Sequence, residues 1–233
     1  MKRGKLTAVV AVRKGSVRIK DKNLKLLGNT TLLERKLEVL CAVKQHGFLD
    51  EIIVNSDCDK MLNLGKDYEC ETYKREDYFA SSECTNSEFH GNIAQTTDTD
   101  FIFLAPVCSP HVSVTSHINA IKHFDSNDYD SLTSVDLVKN HLWLDKKPIN
   151  YQLDNVPNSQ ELPDVMKLNY AITLVKRTVM ETLKRVISDN PDFYILDDIE
   201  SIDIDTPFDF AIAKAVIGDN DIYDWESFFK YNL

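Results

Sequence analysis

The chain opens with a short apolar segment that leads directly into a cation-rich loop. Leu6–Val12 is apolar and rich in β-branched residues, which predicts a buried β-strand. Five cations then follow within ten residues, namely Arg13, Lys14, Arg18, Lys20 and Lys22. A first strand that carries such a loop, with its glycine and serine, to the carboxyl edge of an α/β sheet is a common way to bind phosphates. The sequence therefore indicates a polyanion site.

Strand-like and helix-like segments alternate along the rest of the chain. Apolar strand-like runs occupy residues 6–12, 51–54, 101–105, 131–138 and 169–175. Helical spacing of apolar residues is found at 31–43, 59–66, 114–124 and 177–187, with Gly65 closing the second helix. This alternation predicts βαβ units and a mostly parallel sheet. We expect an α/β fold, a three-layer Rossmann-like sandwich.

Residues 139–168 differ from the rest of the chain. They are polar and contain Pro148, Pro157 and Pro163. Because a long loop without secondary structure is uncommon inside a compact domain, the segment predicts a small protruding arm of short strands or turns. The arm is inserted between residues 1–138 and 169–233, which form one α/β domain. The acidic, aromatic tail at 219–233 is expected to pack back on that domain.

Composition excludes several classes of function. The formal net charge of −10 argues against a nucleic-acid partner, since such binding relies on a basic face. No run of eighteen apolar residues and no signal-peptide pattern is found, so we expect no membrane association and a cytoplasmic location. The five cysteines lack a C-x-x-C pair, which predicts free thiols. The six histidines lack the spacing typical of metal ligands.

A pair of aspartates near the end of the chain is the second candidate feature. In the sequence S-I-D-I-D-T, Asp203 and Asp205 lie on one face if the segment is extended, and Thr206 and Pro207 are typical of a helix start. Two carboxylates are the minimum that Mg²⁺ requires when phosphates and water complete its coordination. A solvated basic loop and two exposed acids on an edge strand are the simpler alternative. Walker A and dinucleotide-binding patterns are absent.

Six sequence blocks, in the same order, resemble the acylneuraminate cytidylyltransferases, the CMP-sialic acid synthetases. The first is the opening loop, which is similar to A-R-x-x-S-K-x-[IL]-P-x-K-N, and the last is S-I-D-I-D-T. Between them lie residues 51–57, the R-E-D-Y-F-A-S block at 75–81, Q-E-L-P at 160–163 and N-Y-A-I at 169–172. The resemblance implies transfer of CMP from CTP to a nonulosonic acid, a sialic-acid-like sugar, with release of pyrophosphate.

The resemblance also implies roles for individual residues. The residues expected to contact CTP are Arg13, Ser16, Arg18, Lys22, Asn23, Arg75 and Ser81. Those expected to act in catalysis are Arg13, Lys22, Asp203 and Asp205, and the two aspartates are expected to hold Mg²⁺. Contacts to the sugar are expected from Ser109, Gln160, Lys167 and Asn169. Residues 139–168 would be the dimerisation arm of a homodimer and would help to complete the partner's sugar site.

The sequence departs from that family mainly where the sugar is expected. The family block Q-P-T-S-P-L-R is replaced by Ala105-Pro-Val-Cys-Ser-Pro-His111, and the glycine of N-G-A-I is Tyr170. In the opening loop, Val17 and Lys20 also differ from the family pattern. Two alternatives therefore remain open. The chain could transfer a nucleotide to another acceptor, such as a shorter keto-acid sugar or a polyol phosphate, or it could be a catalytically silent nucleotide-binding homologue.

Overall fold

A seven-stranded sheet forms the centre of the computed structural model, which describes residues 4–218. The strands of the chain are β1 (Leu6–Val12), β2 (Leu26–Leu27), β3 (Thr30–Thr31), β4 (Glu51–Ser56), β5 (Glu71–Lys74), β6 (Phe101–Leu104), β7 (Ser131–Val138), β8 (Trp143–Leu144), β9 (Lys147–Pro148), β10 (Val165–Lys176) and β11 (Pro191–Ile195). The helices are α1 (Leu32–Gln45), α2 (Asp59–Asp67), α3 (Asp77–Ala80), α4 (Asn86–Thr96), α5 (Val114–Asp125), α6 (Arg177–Leu183) and α7 (Pro207–Ile217).

The sheet is mostly parallel, as the sequence predicted. Its strand order is β11-β7-β10-β6-β1-β4-β5. Strand β1 pairs in parallel with β4 on one side and β6 on the other, and β4 continues in parallel to β5. Strand β10 is antiparallel to both β6 and β7, whereas β11 is parallel to β7. The carboxyl ends of β1, β4 and β6 therefore meet at one edge of the sheet.

Helices cover both faces of the sheet and give it three layers. Ala8 and Val10 of β1 belong to a large apolar cluster that also contains Leu37 of α1, Met61 of α2 and Ile121 of α5. The residue between them, Val9, points into a second cluster that includes residues of α4 and α6. Successive side chains of a strand point to opposite faces, so β1 is buried on both sides. Within the described residues no helix is both long and apolar enough to span a bilayer.

Reciprocal capping boxes mark where three of the described α-helices begin. Thr206 and Asp209 form a reciprocal capping box at α7, and Pro207 occupies its first turn, which confirms the predicted helix start. Thr31 caps α1 in the same way. The equivalent box at Thr85 and Glu88 begins α4, a helix that the sequence analysis did not identify.

The position of Gly65 differs from the prediction. It lies inside α2 instead of closing the helix. A Cβ at this position would come within 2.7 Å of Val54 Cγ2. Glycine is therefore required because the helix backbone packs directly on β4, and the helix continues to Asp67.

The segment predicted to be an arm contains only short pieces of structure. Strands β8 and β9 form a two-stranded hairpin, and a 3₁₀ turn covers Ser159–Glu161. Strand β10 begins at Val165, four residues before its predicted start, because it continues to pair with β7. The helix predicted at 177–187 ends at Leu183, where Lys184 adopts a left-handed backbone conformation. The predicted packing of the tail at 219–233 lies outside the described residues.

Candidate functional site

The cation-rich loop follows β1 at the carboxyl edge of the sheet and is anchored to the end of β4. The buried Asp57 accepts a hydrogen bond from the Lys14 backbone N–H at 3.0 Å, and its second oxygen lies 3.6 Å from Lys14 Nζ. Asn23, at the far end of the loop, is also buried and donates to the Arg13 carbonyl at 3.0 Å. The loop is therefore held at both ends by buried polar groups, unlike a freely solvated charge run.

Arg13 and Arg75 line a cavity of about 460 Å³ beside this loop. Arg75 is only 4% exposed, and it donates from Nε to Asn55 Oδ1 at 2.6 Å and from Nη2 to the Asn55 carbonyl at 2.7 Å. Its guanidinium also lies over the Phe89 ring, 4.8 Å from the centroid. Burial lowers the pKa of Arg75 to about 10, which still leaves it charged at neutral pH. A buried guanidinium that donates two hydrogen bonds to the same residue is held in a fixed orientation and can line a site for a polar ligand.

The rest of this wall comes from the segment after β5. Arg13 Nη1 donates to the carbonyls of Ala80 at 2.6 Å and of Ser81 at 3.1 Å. The cavity is also lined by Ser81, Cys84 and Asn86. Both arginines and Ser81, which the resemblance assigned to CTP, therefore lie around one cavity.

The loop cations meet the aspartates from the far end of the chain. Arg18 Nη2 donates to Asp205 Oδ1 at 2.9 Å, although the two residues are 187 positions apart. Lys22 Nζ lies 3.6 Å from the same oxygen and donates to the Ile204 carbonyl at 2.6 Å. A cavity of about 390 Å³ between them is lined by Arg13, Ser16, Arg18, Lys22, Asn23 and Asp205, among others. The two candidate features of the sequence thus form one cleft.

Asp203, like its neighbour Asp205, is partly buried. Burial raises the pKa of Asp203, a hydrogen bond from the Cys108 thiol opposes that rise, and the Asp205 charge adds to it. Its Oδ1 atom is buried and has no hydrogen-bond partner among the residues that the structure describes. Burial likewise raises the pKa of Cys108 to about 12, so this thiol is neutral and unsuited to nucleophilic attack.

The segment that carries the aspartates does not form a strand in the described structure. Instead, the Ile204 backbone N–H donates to the Cys108 carbonyl at 2.8 Å, which ties the segment to the turn after β6. Asp203 and Asp205 nevertheless border the same cavity of about 470 Å³. Asp209, in the same wall, is already used as the cap of α7, and its hydrogen bonds with Thr206 lower its pKa.

The donor set at this cavity fits a hard divalent cation only in part. Across residues 4–218 no group of three or more His, Cys, Asp or Glu side chains is arranged to hold a metal ion. Asp203 and Asp205 supply two carboxylates, and one buried oxygen of Asp203 is unpartnered. Mg²⁺ commonly takes one or two carboxylates and completes its octahedron with water and substrate phosphates. The pair therefore fits Mg²⁺ that arrives with a phosphate ligand.

The residues predicted to bind a sugar are only partly brought together. Lys167 and Asn169 line the aspartate cavity, and Lys167 Nζ donates to Asp136 at 3.0 Å. Ser109 is 1% exposed, and its hydroxyl has no partner within the described part of the chain. Gln160 is exposed in the 3₁₀ turn of the arm. Neither Ser109 nor Gln160 borders the cavities described above.

Three contributors to the site, Asn55, Asp57 and Phe89, were missed from sequence. Asn55 holds Arg75, and Asp57 holds the loop, so both act by positioning other residues. Their signal was present, because they lie at the carboxyl end of a strand whose end faces the loop. Phe89 was missed because helix α4 was missed, although the Thr85-x-x-Glu88 capping pattern marks its start.

The fold and the cation-rich cleft are those that we expect of a nucleotidyltransferase. The profile of the family "Cytidylyltransferase" matches residues 7–141, more than half of the chain. The chain belongs to this family of CTP-using enzymes.

The chain is also similar to individual known proteins. The "Post-translational flagellin modification protein B" of Campylobacter coli is 21% identical over 230 residues, which cover 93% of this chain and 97% of that protein. Among solved structures, a CMP:2-keto-3-deoxy-manno-octonic acid synthetase complexed with CTP has a TM-score of 0.68 at 12% identity, covering 91% of this chain and 98% of its own. The 4-diphosphocytidyl-2C-methyl-D-erythritol synthase of Anaerococcus prevotii has a TM-score of 0.67 at 15% identity, covering 91% and 96%. At these identities the two structures show the shared fold.

Arg75→Lys tests how much the hydrogen bonds between Arg75 and Asn55 contribute to stability. A lysine cannot reproduce the two-atom fork to Asn55, so we expect the free energy of unfolding to fall by about 1–3 kcal/mol. Urea denaturation measures this change. The control is Arg185→Lys, where an exposed guanidinium pairs with Asp189 and the expected change is within about 0.5 kcal/mol. Equal stability of the two variants would contradict the structural role of Arg75.

Proposed function

We propose that the protein is a Mg²⁺-dependent, homodimeric cytidylyltransferase that activates a nonulosonic acid with CTP and releases pyrophosphate. The observation that carries this proposal is the meeting of Arg18 and Lys22 with Asp205 in one cleft. Cations that neutralise phosphate charge and carboxylates that suit Mg²⁺ are the parts that phosphoryl transfer needs from a protein.

The nucleotide is assigned to the two cavities beside the loop, both of which Arg13 borders. The triphosphate lies along Arg13, Arg18 and Lys22, whose charges stabilise the negative charge that develops on the α-phosphoryl group and the leaving pyrophosphate. Ser16 borders the same cavity and offers a hydroxyl donor. The nucleoside lies between Arg75 and Ser81, where main-chain and side-chain polar groups can recognise a flat base. Asn23 keeps the loop in the conformation that presents these cations.

Asp203 and Asp205 are the proposed ligands of Mg²⁺. When bound, the cation would polarise the phosphoryl oxygens and offset the charge of the departing pyrophosphate. Without it, Asp205 is paired with the loop cations that the triphosphate requires. The protein's own contribution is to bring two carboxylates and three cations together around one cleft.

The reaction needs no covalent intermediate on the protein. The anomeric hydroxyl oxygen of the sugar attacks the α-phosphorus of CTP and forms a new P–O bond. The bond between the α-phosphorus and the oxygen that bridges to the β-phosphate breaks, and pyrophosphate leaves with its electron pair. The hydroxyl proton passes to water. The neutral thiol of the partly buried Cys108 takes no part as a nucleophile.

The acceptor is proposed from the sequence blocks shared with the acylneuraminate cytidylyltransferases. Lys167 and Asn169 lie beside the aspartate pair, where a cation and an amide could bind the acceptor carboxylate and hydroxyls. Ser109 is enclosed, so a sugar contact there requires the turn after β6 to move. The Campylobacter coli relative is named for flagellin modification, and supply of an activated sugar for a protein or surface glycan is part of this proposal.

A pyrophosphate-release assay with CTP, Mg²⁺ and a panel of acceptors tests the proposal. The panel contains several nonulosonic acids, 2-keto-3-deoxy-manno-octonic acid and 2C-methyl-D-erythritol 4-phosphate. We expect CTP-dependent release with at least one nonulosonic acid. Turnover with only one of the other two compounds would identify that compound, and not a nonulosonic acid, as the acceptor. CTP binding without any turnover would identify a catalytically silent homologue.

The arm is the proposed dimer contact. Within residues 139–164 the structure exposes a group of apolar side chains, namely Trp143, Leu144, Ile149, Leu153 and Val156. Exposed apolar groups of this density favour burial against another protein surface. In a dimer, Gln160 of the arm would reach a sugar site that it does not reach within one chain.

Sedimentation equilibrium of the full chain tests the dimer. We expect a dimer at micromolar concentration, and Trp143→Asp should shift it toward monomer because the charge would be buried at the interface. Ile195→Asp is the matched control, since Ile195 is equally exposed (54%, against 51% for Trp143) but lies outside the arm. A monomeric wild type, or an equal effect of the two variants, would contradict the proposal.

A further inference from the structure

Tyr170 combines an unusual backbone with an exposed ring. It has a φ of +56°, in the left-handed region that bulky residues rarely adopt. It lies in an irregularity of β10, where pairing with β7 stops at Leu168 and resumes at Thr173. Its side chain is 44% exposed, so burial of the ring does not offset the strain of this backbone conformation.

Hydrogen bonds from two neighbours hold the backbone around Tyr170. The Asn169 Oδ1 atom accepts from the Ser134 hydroxyl at 2.6 Å and from the Ala171 backbone N–H at 3.2 Å. The Ser134 Oγ atom in turn accepts from the Ile172 backbone N–H at 2.9 Å. The left-handed turn is therefore imposed by its surroundings, and strained residues held in this way are concentrated at functional sites.

Tyr170 borders two different cavities. One is the aspartate cavity of about 470 Å³, which holds Asp203, Asp205 and Lys167. The other, of about 330 Å³, is lined mainly by apolar groups that include Val9, Phe89 and Leu104. Among the residues that border either cavity, Tyr170 is shared by both. A molecule bound at the aspartates thus meets this ring on the side of the apolar cavity.

We propose that Tyr170 is a specificity-determining residue: its ring limits the size of the substituent that an acceptor at the aspartates can direct toward the apolar cavity. The inference rests on the proposed function, because it takes the aspartate cavity as the acceptor side of the site. The ring is placed for this role by the hydrogen-bonded turn of Asn169 and Ser134. Removal of the ring would join the two cavities and admit a larger acceptor.

Three variants separate the ring from the backbone strain. Tyr170→Phe keeps the ring and removes the hydroxyl. Tyr170→Ala removes the ring but keeps a Cβ in the left-handed conformation, whereas Tyr170→Gly removes both the ring and the strain. Glu69→Gly is the matched control, because Glu69 also has a positive φ, of +55°, and lies after α2, outside the two cavities.

The readout is equilibrium binding, by calorimetry, of two nine-carbon keto acids in the presence of CTP and the absence of Mg²⁺. N-acetylneuraminic acid and 2-keto-3-deoxynononic acid differ only in an acetamido group that replaces a hydroxyl. In Tyr170→Ala and Tyr170→Gly we expect the ratio of their dissociation constants to shift roughly tenfold toward N-acetylneuraminic acid. Tyr170→Phe and Glu69→Gly should keep the wild-type ratio.

Stability measurements distinguish this role from a structural one. Tyr170→Gly should melt no lower than the wild type and above Tyr170→Ala, because only glycine relieves the strain. Since binding is measured without turnover, a failed pyrophosphate assay would count against the proposed function and leave this readout intact. The inference is overturned if the ratio is unchanged in both ring-deleted variants, or if neither acid binds to the wild type or to any variant.

Discussion

The contact of Arg18 and Lys22 with Asp205 is the interaction on which the candidate site depends. It joins a loop that follows the first strand to a segment almost two hundred residues later. Exposed ion pairs contribute little to stability, and Arg18 and Asp205 are both partly exposed, so stability does not account for this contact. Its significance is that it gathers opposite charges around a space that can hold phosphates.

The sheet explains how these distant residues meet. Strand β1 is buried on both faces and pairs with β4 and β6, so the loops after all three strands lie at the same edge. At the end of β4, Asp57 holds the cation-rich loop and Asn55 holds Arg75. The turn after β6 binds the segment that carries Asp203 and Asp205, because the Cys108 carbonyl accepts a hydrogen bond from the Ile204 backbone N–H. The polar site therefore rests on hydrogen bonds from groups that the core itself positions. Buried polar residues therefore fix the backbone positions from which the cations reach the cleft.

Much of the fold could be predicted because its strands are strongly apolar. Strand β1 and strand β7 were predicted to the residue, and Thr206 and Pro207 marked the start of α7. The four-residue β5 was missed because its polar residues carry no periodic signal, and α4 was missed because its first turn is polar despite the capping box. The end of α2 was misplaced because the requirement for Gly65 comes from Val54, which only the tertiary structure brings near.

The site was predictable where residues act by their own charge and unpredictable where they act through a neighbour. The loop cations, Arg75 and the two aspartates were recognised from their type, order and resemblance to a family. The burial of Ser109 depends on how the turn after β6 packs, which its sequence does not encode locally. The placement of the Tyr170 ring likewise follows from a turn held by Asn169 and Ser134, residues from two different strands.

The central claim is that the loop cations and the aspartates form one site for a triphosphate and its Mg²⁺. Calorimetric titration of CTP into the Asp205→Asn variant, with and without Mg²⁺, tests this claim most directly. The control is Asp198→Asn, because Asp198 borders the same cavity as Asp203 and Asp205. In the absence of Mg²⁺ the variant should bind CTP at least as tightly as the wild type, because Arg18 and Lys22 are released from their pairing. Addition of Mg²⁺ should tighten binding to the wild type and to the control, but not to Asp205→Asn. An equal gain from Mg²⁺ in all three proteins would contradict the claim.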